Sequence, residues 1–324
     1  MRSVPRDEGV GAPAACAASP GVAVSEPLPS LAVVIATLGR PDPLERALES
    51  LRGSTVRPDE ILVVDGDESG AARPVVERNA ADLPVRHVPA ARGLTRQRNA
   101  GLDAVTSDVV LFLDDDARVR PDTLHQVLAA YADPDVLGVT GRVVEPASNR
   151  VGGKSSRVRV LLRGRGRDGT FTAAGYPRRL VDESATTDIE FMQGAFMSAR
   201  SDLAREVRFD ERLLGYALAE DEDFSCRLAR RGRLRYLGTA AVDHDNAGFG
   251  GRDRRAFGHQ VVRNRWYLFR KNFPLTPTTR LRFELLLVLL VGHRLLNRDL
   301  AGARGLAEAA LRRPRPPTPY GVDG

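Results

Sequence analysis

Three consecutive carboxylates, Asp114, Asp115 and Asp116, follow an uninterrupted apolar run at residues 109–113. Such a run is typical of a strand buried on both faces of a parallel sheet, and open α/β sheets bind ligands beyond the carboxyl ends of their strands. Side chains at i and i+2 share one side, so we expect Asp114 and Asp116 to converge while Asp115 points elsewhere. Hard oxygen ligands predict Mg²⁺ or Mn²⁺ completed by phosphate oxygens. The alternative is a solvated acidic turn before the helix that Pro121 begins.

A further acid and two arginines precede this cluster. Asp65 ends a second apolar run, at residues 60–66, and Arg96 and Arg98 lie near the start of a helix that continues through Leu102. Cations at a helix N-terminus oppose the helix dipole, so they are poorly placed for stability alone. With exposed backbone N–H groups they would form a diphosphate cradle, and a solvated helix start is the alternative.

Four acids, residues 220–223, crowd the first turn of a later predicted helix at residues 219–232. Acids stabilise a helix N-terminus, but four in a row exceed what capping needs. Asp221 lies near the face that carries Phe224, so we expect Asp221 to face the site and Glu222 to point to solvent.

His244 lies just past the last predicted strand, at residues 234–243. A single histidine at a strand end is more often structural than a ligand. Here it is one of three separated acid or imidazole positions that follow strands or start a helix. That arrangement favours a single site over three unrelated features.

The elements that must position these residues alternate between strand and helix. Predicted strands at residues 31–37, 60–66 and 85–89 are separated by helix-length spacers, which predicts βαβ units and an α/β fold with a mostly parallel, Rossmann-like sheet flanked by helices. A further strand is expected at residues 136–144. Residues 146–187 are rich in Gly, Arg and Ser and are interpreted as a long mobile loop or a small excursion.

Composition limits the function classes. The 324 residues are 42% apolar and 28% charged, as in a globular protein, and carry a net charge of +6 that comes almost entirely from arginine. Arginine suits anionic substrates or anionic membranes, whereas no clustered basic and aromatic stripe indicates nucleic acid. Cys16 and Cys226 form neither a disulfide framework nor a metal pattern, which fits a reducing cytoplasm.

These motifs resemble the family 2 glycosyltransferases of GT-A fold, inverting enzymes that use nucleotide-sugar donors. The resemblance covers roughly residues 31–274. It is carried by V-V-I-A-T-L-G-R, V-V-D-G-D-E-S, R-Q-R-N-A-G, L-F-L-D-D-D, G-A-F-M, E-D-E-D-F-S-C-R-L and a final V-D-H, in that order. The chain is also similar to rhamnosyltransferase-like members, a likeness too general to identify the sugar.

The resemblance implies a role for each site residue. The residues implied to hold the nucleotide are Thr37, Arg40, Asp65, Arg98 and Asp114. Asp114 and Asp116 match the outer acids of the D-x-D motif, with Asp116 the principal metal ligand, and His244 matches the trailing metal-binding histidine. Asp221 matches the general base. Ala219 and Phe224 depart from the Gly and Leu that commonly flank E-D-x-D, and neither change removes a reactive group.

We divide the chain into a disordered leader at 1–30, a glycosyltransferase domain at 31–275, and a C-terminal helical extension with a disordered tail at 276–324. The apolar heptad at residues 285–291 is too short to span a bilayer. Because Arg280, Arg282, His293 and Arg294 bracket it, it is a candidate for an interfacial helix on the inner face of a membrane. Packing against the catalytic domain is the alternative.

The resemblance therefore implies a cytoplasmic, metal-assisted transfer of a sugar from a nucleotide-diphosphate donor to a carbohydrate or lipid-linked acceptor, and the residues agree with it. One carboxylate group would serve the metal and a separate one would take the proton of the acceptor hydroxyl. The alternatives are a sugar nucleotidyltransferase and a non-catalytic nucleotide-sugar-binding protein. The first would need a Gly-rich loop after the first strand, where this chain has T-L-G-R-P.

Overall fold

The structure is a computed structural model that describes residues 28–146, 162, 164–180, 183–214, 216–245 and 253–312. The disorder expected for most of the leader and for the tail after residue 312 concerns residues outside this set. Residues 147–161, 163 and 181–182 of the segment 146–187, expected to be a mobile loop or a small excursion, also lie outside it.

Within the described residues, nine strands form one sheet. They are β1 Leu31–Thr37, β2 Glu60–Asp65, β3 Val85–Pro89, β4 Val109–Asp114, β5 Ala117–Val119, β6 Val136–Val144, β7 Thr187–Ile189, β8 Phe196–Arg200 and β9 Arg233–His244. The strand order is β3-β2-β1-β4-β8-β6-β9-β5, and β7 pairs with β9.

Helices pack on this sheet, and the last three follow its final strand at the C-terminal end of the described chain. They are α1 Pro41–Arg52, α2 Arg73–Asn79, α3 Leu94–Ala104, α4 Thr123–Ala130, α5 Ser201–Val207, α6 Glu220–Ala229, α7 Arg254–Asn272, α8 Pro277–Leu296 and α9 Leu300–Arg312.

The first half of the sheet follows the sequence pattern. Strands β1 to β4 pair in parallel, and the apolar runs at 31–35 and 109–113 are fully buried between two helical layers. Because β1 lies between β2 and β4, the carboxyl ends of these strands meet at one edge. Asp65 and Asp114 are therefore delivered to the same edge, as expected for a doubly wound sheet.

The second half of the sheet makes it mixed. Strand β8 runs antiparallel to β4 and to β6, and β9 pairs antiparallel with β5 and β7 while running parallel to β6. The α/β class is confirmed. The parallel pairing that the alternating pattern predicts is limited to the first four strands, β1 to β4, and to the single pair of β6 with β9. Strand direction in this half depends on where the chain returns after residues 146–187, and a short apolar run does not encode that.

The last three helices form their own apolar cluster. Phe269 of α7 stacks on Phe283 of α8 with ring centroids 4.7 Å apart, and Trp266 lies 5.3 Å from the same ring. Leu306 of α9 joins this cluster. No helix among the residues the structure describes has a stretch long and apolar enough to cross a membrane.

Candidate active site

Two aspartates and a histidine converge at the edge where β4 ends. Strand β5 pairs with β9 so that Ala117 lies opposite His244, which brings the imidazole beside Asp116. His244 Nε2 is 3.0 Å from Asp116 Oδ1 and 3.8 Å from Asp114 Oδ2. One ligand atom from each of the three side chains lies within 4.8 Å of the others, so the group is compact enough to hold one cation.

The chemistry of this group fits a divalent metal. The group offers two carboxylate oxygens and one imidazole nitrogen. Mn²⁺ binds both kinds of ligand readily, whereas Mg²⁺ prefers the oxygens. Burial alone would lower the pKa of His244, but the hydrogen bond with Asp116 and the charges of both carboxylates outweigh it and raise that pKa. A metal held by these three residues would need the neutral imidazole as its nitrogen ligand.

Asp115 points away from this cluster, as the i, i+2 argument predicts. Thr37 Oγ1 donates a 2.7 Å hydrogen bond to Asp115 Oδ2, and Arg40 Nη1 lies 2.9 Å from Asp115 Oδ1. Burial raises the pKa of Asp115 to about 7, against the lowering effects of Thr37 and Arg40. Asp115 thus joins the ends of β1 and β4, and the Thr37 hydroxyl is used in that link.

Arg40 is the cation nearest the metal ligands. Its Nη2 lies 2.5 Å from Asp116 Oδ2 while Nη1 holds Asp115, so the guanidinium spans two of the three acids. The side chain remains about one-third exposed, at 34%, and so can still reach a ligand. The start of α1 positions it, because Arg40 is the residue that precedes the first helical turn.

Arg98 is buried and connects the two acidic groups. Its Nη2 lies 3.1 Å from Asp114 Oδ1, and its Nη1 lies 2.9 Å from Glu220 Oε1. It also donates to the Gly194 carbonyl at 2.8 Å, and its guanidinium lies 5.3 Å from the Phe209 ring centroid. The sequence predicts a cradle at a helix start, and the structure places this arginine inside the protein with its donors engaged.

Asp221 lies at the start of α6, close to the metal ligands. Its Oδ2 accepts a hydrogen bond from the Gly194 N–H at 3.0 Å, and its Oδ1 accepts one from the Glu222 N–H at 2.8 Å. The pKa of Asp114 is raised, mainly by burial. The charges of Arg98 and His244 lower that pKa, and the charges of Asp116 and Asp221 raise it further. Asp221 is therefore within electrostatic reach of Asp114, although β4 and α6 lie far apart in sequence.

The expected solvent exposure of Glu222 is wrong. Glu222 is buried, and its carboxylate pairs with Arg265 of α7 through contacts of 3.1 and 3.2 Å. The guanidinium of Arg265 in turn lies 4.7 Å from the Tyr176 ring centroid. A single amphipathic helix leaves this face to solvent, but α7 returns from later in the chain and covers it.

Asp65 holds a loop together at the end of β2. Its Oδ1 accepts from the Asp67 N–H at 2.9 Å, and its Oδ2 lies 3.3 Å from the Ala72 nitrogen and 3.1 Å from His87 Nε2. Only 1% of the side chain is exposed. The structure brings Asp65 to the expected sheet edge, but its carboxylate is already engaged by the backbone of its own loop and by His87 of β3.

Two further residues of the candidate site, Gln97 and Glu220, were not predicted from the sequence. Gln97 donates to the carbonyls of Thr37 and Val64, at 2.7 and 2.9 Å, and so ties the ends of β1 and β2 to α3. Glu220, one residue before Asp221, completes the pair with Arg98, and burial raises its pKa to about 8, with the Asp221 charge as the next cause. The sequence signal for Gln97 is its place in the polar stretch from Arg96 to Asn99. The signal for Glu220 is its place in the run of four acids.

Comparison with protein families gives one match over more than half of the chain. Residues 32–207 match the model described as Glycosyl transferase family 2. This region contains Thr37, Asp65 and the three acids at 114–116, and it ends before Asp221 and His244.

Curated relatives agree in class. The chain is 31% identical over 220 residues to the pre-mycofactocin glycosyltransferase of Mycobacterium tuberculosis, a match that covers 66% of this chain and 42% of that protein. It is 32% identical over 118 residues to the glucosyl-dolichyl phosphate glucuronosyltransferase of Haloferax volcanii, covering 36% and 38% of the two chains. The chain thus spans less than half the length of these relatives.

Solved structures share the fold. The mannosyltransferase PcManGT from Pyrobaculum calidifontis, in complex with GDP-Man and Mn²⁺, aligns with a TM-score of 0.55 at 18% identity, over 89% of this chain and 75% of that one. TarS of S. aureus aligns with a TM-score of 0.53 at 17% identity, over 88% and 92% of the chains. The GT-A fold that the motifs predict is therefore confirmed.

Proposed function

The chain belongs to glycosyl transferase family 2, and on that premise we propose that it transfers a sugar, with inversion, from a nucleotide-diphosphate sugar to an acceptor hydroxyl. One observation carries this proposal. The candidate metal ligands Asp114, Asp116 and His244 lie together at one edge of the sheet, and a separately held carboxylate, Asp221, lies near them. Such a division suits a reaction in which a diphosphate leaves from one face of the sugar while a hydroxyl attacks the other.

Donor binding is assigned to the residues at the ends of β1 and β4. Asp114, Asp116 and His244 would hold Mg²⁺ or Mn²⁺, which when bound stabilises the negative charge that develops on the departing diphosphate. Arg40 is placed to share that charge, because its guanidinium already lies against Asp116 and remains partly exposed. PcManGT was solved with GDP-Man and Mn²⁺, and TarS with UDP, which supports a nucleotide-diphosphate donor.

Three residues act, in this proposal, by positioning others. Thr37 holds Asp115, Arg98 holds Asp114 and Glu220, and Asp65 holds the loop that follows β2. Their polar atoms are engaged by the protein itself. They would thus set the shape of the nucleotide site while Arg40 and the metal ligands contact the donor.

Asp221 is proposed as the general base. Both of its carboxylate oxygens accept a backbone N–H, from Gly194 and Glu222, so the group is oriented before the acceptor arrives. Its place in the first turn of α6 stabilises the anion through the helix dipole. A carboxylate oriented in this way can take the hydroxyl proton as the acceptor oxygen attacks the sugar.

The acceptor is proposed to be a carbohydrate or a lipid-linked glycan, and the enzyme to work in the cytoplasm with its C-terminal extension against the inner face of a membrane. The catalytic unit would occupy residues 31–275 and the extension residues 276–324. The Haloferax volcanii relative is a glucosyl-dolichyl phosphate glucuronosyltransferase, which supports a lipid-linked acceptor.

Release of nucleoside diphosphate from a panel of nucleotide sugars tests this function. With Mn²⁺ present, we expect at least one sugar to yield free nucleoside diphosphate, more rapidly when an acceptor is added. Release of pyrophosphate in the presence of a nucleoside triphosphate and a sugar phosphate would indicate a nucleotidyltransferase. Tight donor binding without release under any condition would indicate a binding protein.

A further inference from the structure

The outer face of α8 presents a row of apolar side chains to solvent. Leu281, Leu285 and Val288 are 71%, 56% and 67% exposed, and Leu295 and Leu296 are 50% and 56% exposed. Steps of four and three residues keep side chains on one side of a helix, so these five form a single ridge. We call them the α8 ridge.

The ridge is additional to the face that holds α8 in the protein. Phe283, Leu286 and Leu287 are buried on the opposite side, where Phe283 packs on Trp266 and Phe269 of α7. Folding therefore needs only the inner face. Eight of the eleven large apolar side chains that are exposed among the described residues lie at residues 275–311, so such exposure is a local property of this end of the chain.

The charged residues that border the ridge are mostly positive, together with one exposed acid, Glu284, three residues after Leu281. Residues 276–324 contain eight arginines and four acids, a net charge of +4 out of the +6 of the whole chain. Arg280 and Arg282 are exposed beside the start of the ridge, and Arg298 is exposed just after its end. None of these three makes an ion pair with another described residue, whereas Arg294 and Arg304 pair with Asp299 and Glu308.

We propose that the α8 ridge docks on an anionic lipid bilayer, with Leu281, Leu285 and Val288 entering the headgroup region and Arg280, Arg282 and Arg298 contacting the lipid phosphates. An apolar ridge with a basic border matches a negatively charged leaflet on both counts. A second copy of the chain fits less well, because pairing two ridges side by side brings like charges together. The contact is peripheral, since none of the described helices can span a bilayer.

The docking itself does not depend on the proposed function. Its link to catalysis does, because it assumes that the acceptor is lipid-linked. Helix α7 packs against α8 through Trp266 and Phe269, and it reaches the catalytic helix α6 through the Arg265–Glu222 pair. The ridge is thus one helix away from the helix that carries Asp221. A membrane held there would deliver a lipid-linked hydroxyl near the proposed base.

Flotation of the full chain with vesicles tests the docking. We expect it to float with vesicles of phosphatidylglycerol and phosphatidylcholine and much less with phosphatidylcholine alone. Replacing Leu281, Leu285 and Val288 together by Ser should reduce the bound fraction at least about tenfold, and so should Arg280→Glu with Arg282→Glu. The matched charge control is Arg57→Glu with Arg73→Glu, two exposed arginines beside β2 and α2, which should float like the parent.

Several outcomes would overturn the proposal. They are no flotation of the full chain on anionic vesicles, flotation that the ridge variants leave unchanged, and a dimer by sedimentation that the Leu281, Leu285 and Val288 variant dissociates without any lipid binding. Donor turnover, measured by nucleoside diphosphate release without vesicles, should be equal in the parent and the ridge variants. An inactive parent that still floats would refute the proposed function and leave the docking supported.

Discussion

Arg98 and Glu220 form a buried ion pair, with Nη1 and Oε1 2.9 Å apart, although 122 positions separate them in the chain. The same guanidinium contacts Asp114, so a single side chain connects the metal-type group at the end of β4 with the first turn of α6. The spacing between the proposed donor and acceptor ends of the site depends on this connection.

Removing the Arg98 charge should destabilise the protein more than removing that of Glu220. Arg98→Met leaves Glu220 and Asp114 without their shared cation in a buried site, and we expect the free energy of unfolding to fall by about 3–5 kcal/mol. Glu220→Gln retains an acceptor for the Arg98 N–H and replaces a carboxyl whose charged form burial already disfavours, since burial raises the pKa of Glu220 to about 8, so its cost should be smaller. Urea unfolding of both variants measures the difference. Equal losses would show that Arg98 is not the connection described.

Loss of one ligand should weaken metal binding directly. Asp116→Asn removes a charged oxygen from the group with Asp114 and His244, and we expect Mn²⁺ affinity to fall at least about a hundredfold. Electron paramagnetic resonance of free Mn²⁺, with nucleoside diphosphate present, measures this without an activity assay. The control is Asp243→Asn, beside His244, since Asp243 is exposed and pairs with Arg120. Unchanged Mn²⁺ binding in Asp116→Asn would exclude this metal site.

Asp221→Asn should abolish the base while preserving the fold. The amide oxygen can accept only one of the Gly194 and Glu222 N–H groups, but Asp221 is not a proposed donor ligand, so donor affinity should remain while acceptor-dependent turnover falls by about 10²–10⁴-fold. The matched control is Asp202→Asn. Asp202 also lies in the first turn of a helix and accepts the N–H of the next residue, but it is exposed. Normal turnover in Asp221→Asn would refute the assignment.

A strained residue precedes the catalytic helix. Ala219 has a φ of +70°, the left-handed region in which a Cβ costs about 1–2 kcal/mol and glycine costs little. We expect Ala219→Gly to stabilise the protein by up to about 1 kcal/mol, because strain relief exceeds the added chain entropy. Ala129→Gly, at an exposed position of α4, should instead destabilise it by about 0.5–1 kcal/mol. Thermal unfolding of both variants gives the two signs, and a destabilising Ala219→Gly would contradict the account.

Stability should fall in acid partly through Asp210. Burial alone would raise the pKa of Asp210, but hydrogen bonds from Lys271 and Tyr267 outweigh it and lower that pKa. A carboxyl whose pKa is lowered by folding contributes stability above its unfolded pKa of about 3.9 and loses it as the pH falls through the folded value. Asp210→Asn should therefore be less stable than the parent at pH about 7, and the difference should shrink below pH about 3. Urea unfolding at both pH values checks this, and a constant difference would exclude the pair as the cause.

The sequence by itself determined the first half of the sheet and the class of the site. The runs that end at Asp65 and Asp114 are apolar on both faces, and runs this short and rich in branched residues are typical of buried strands. The i, i+2 spacing of Asp114 and Asp116 places both carboxylates on one side of that strand end, whatever packs around it. The strand-end acids, the arginines and the later acid-rich helix were therefore readable as parts of one site.

Only the tertiary structure decided which of these polar groups remain available. Glu222 is buried because α7 returns over α6, and Arg98 is enclosed because Asp114 and Glu220 meet on either side of it. The pairing of β5 with β9 brings His244 to Asp116 across more than a hundred residues. Local periodicity specifies the face of one element and not the element that covers it, so these partners follow from packing between distant segments.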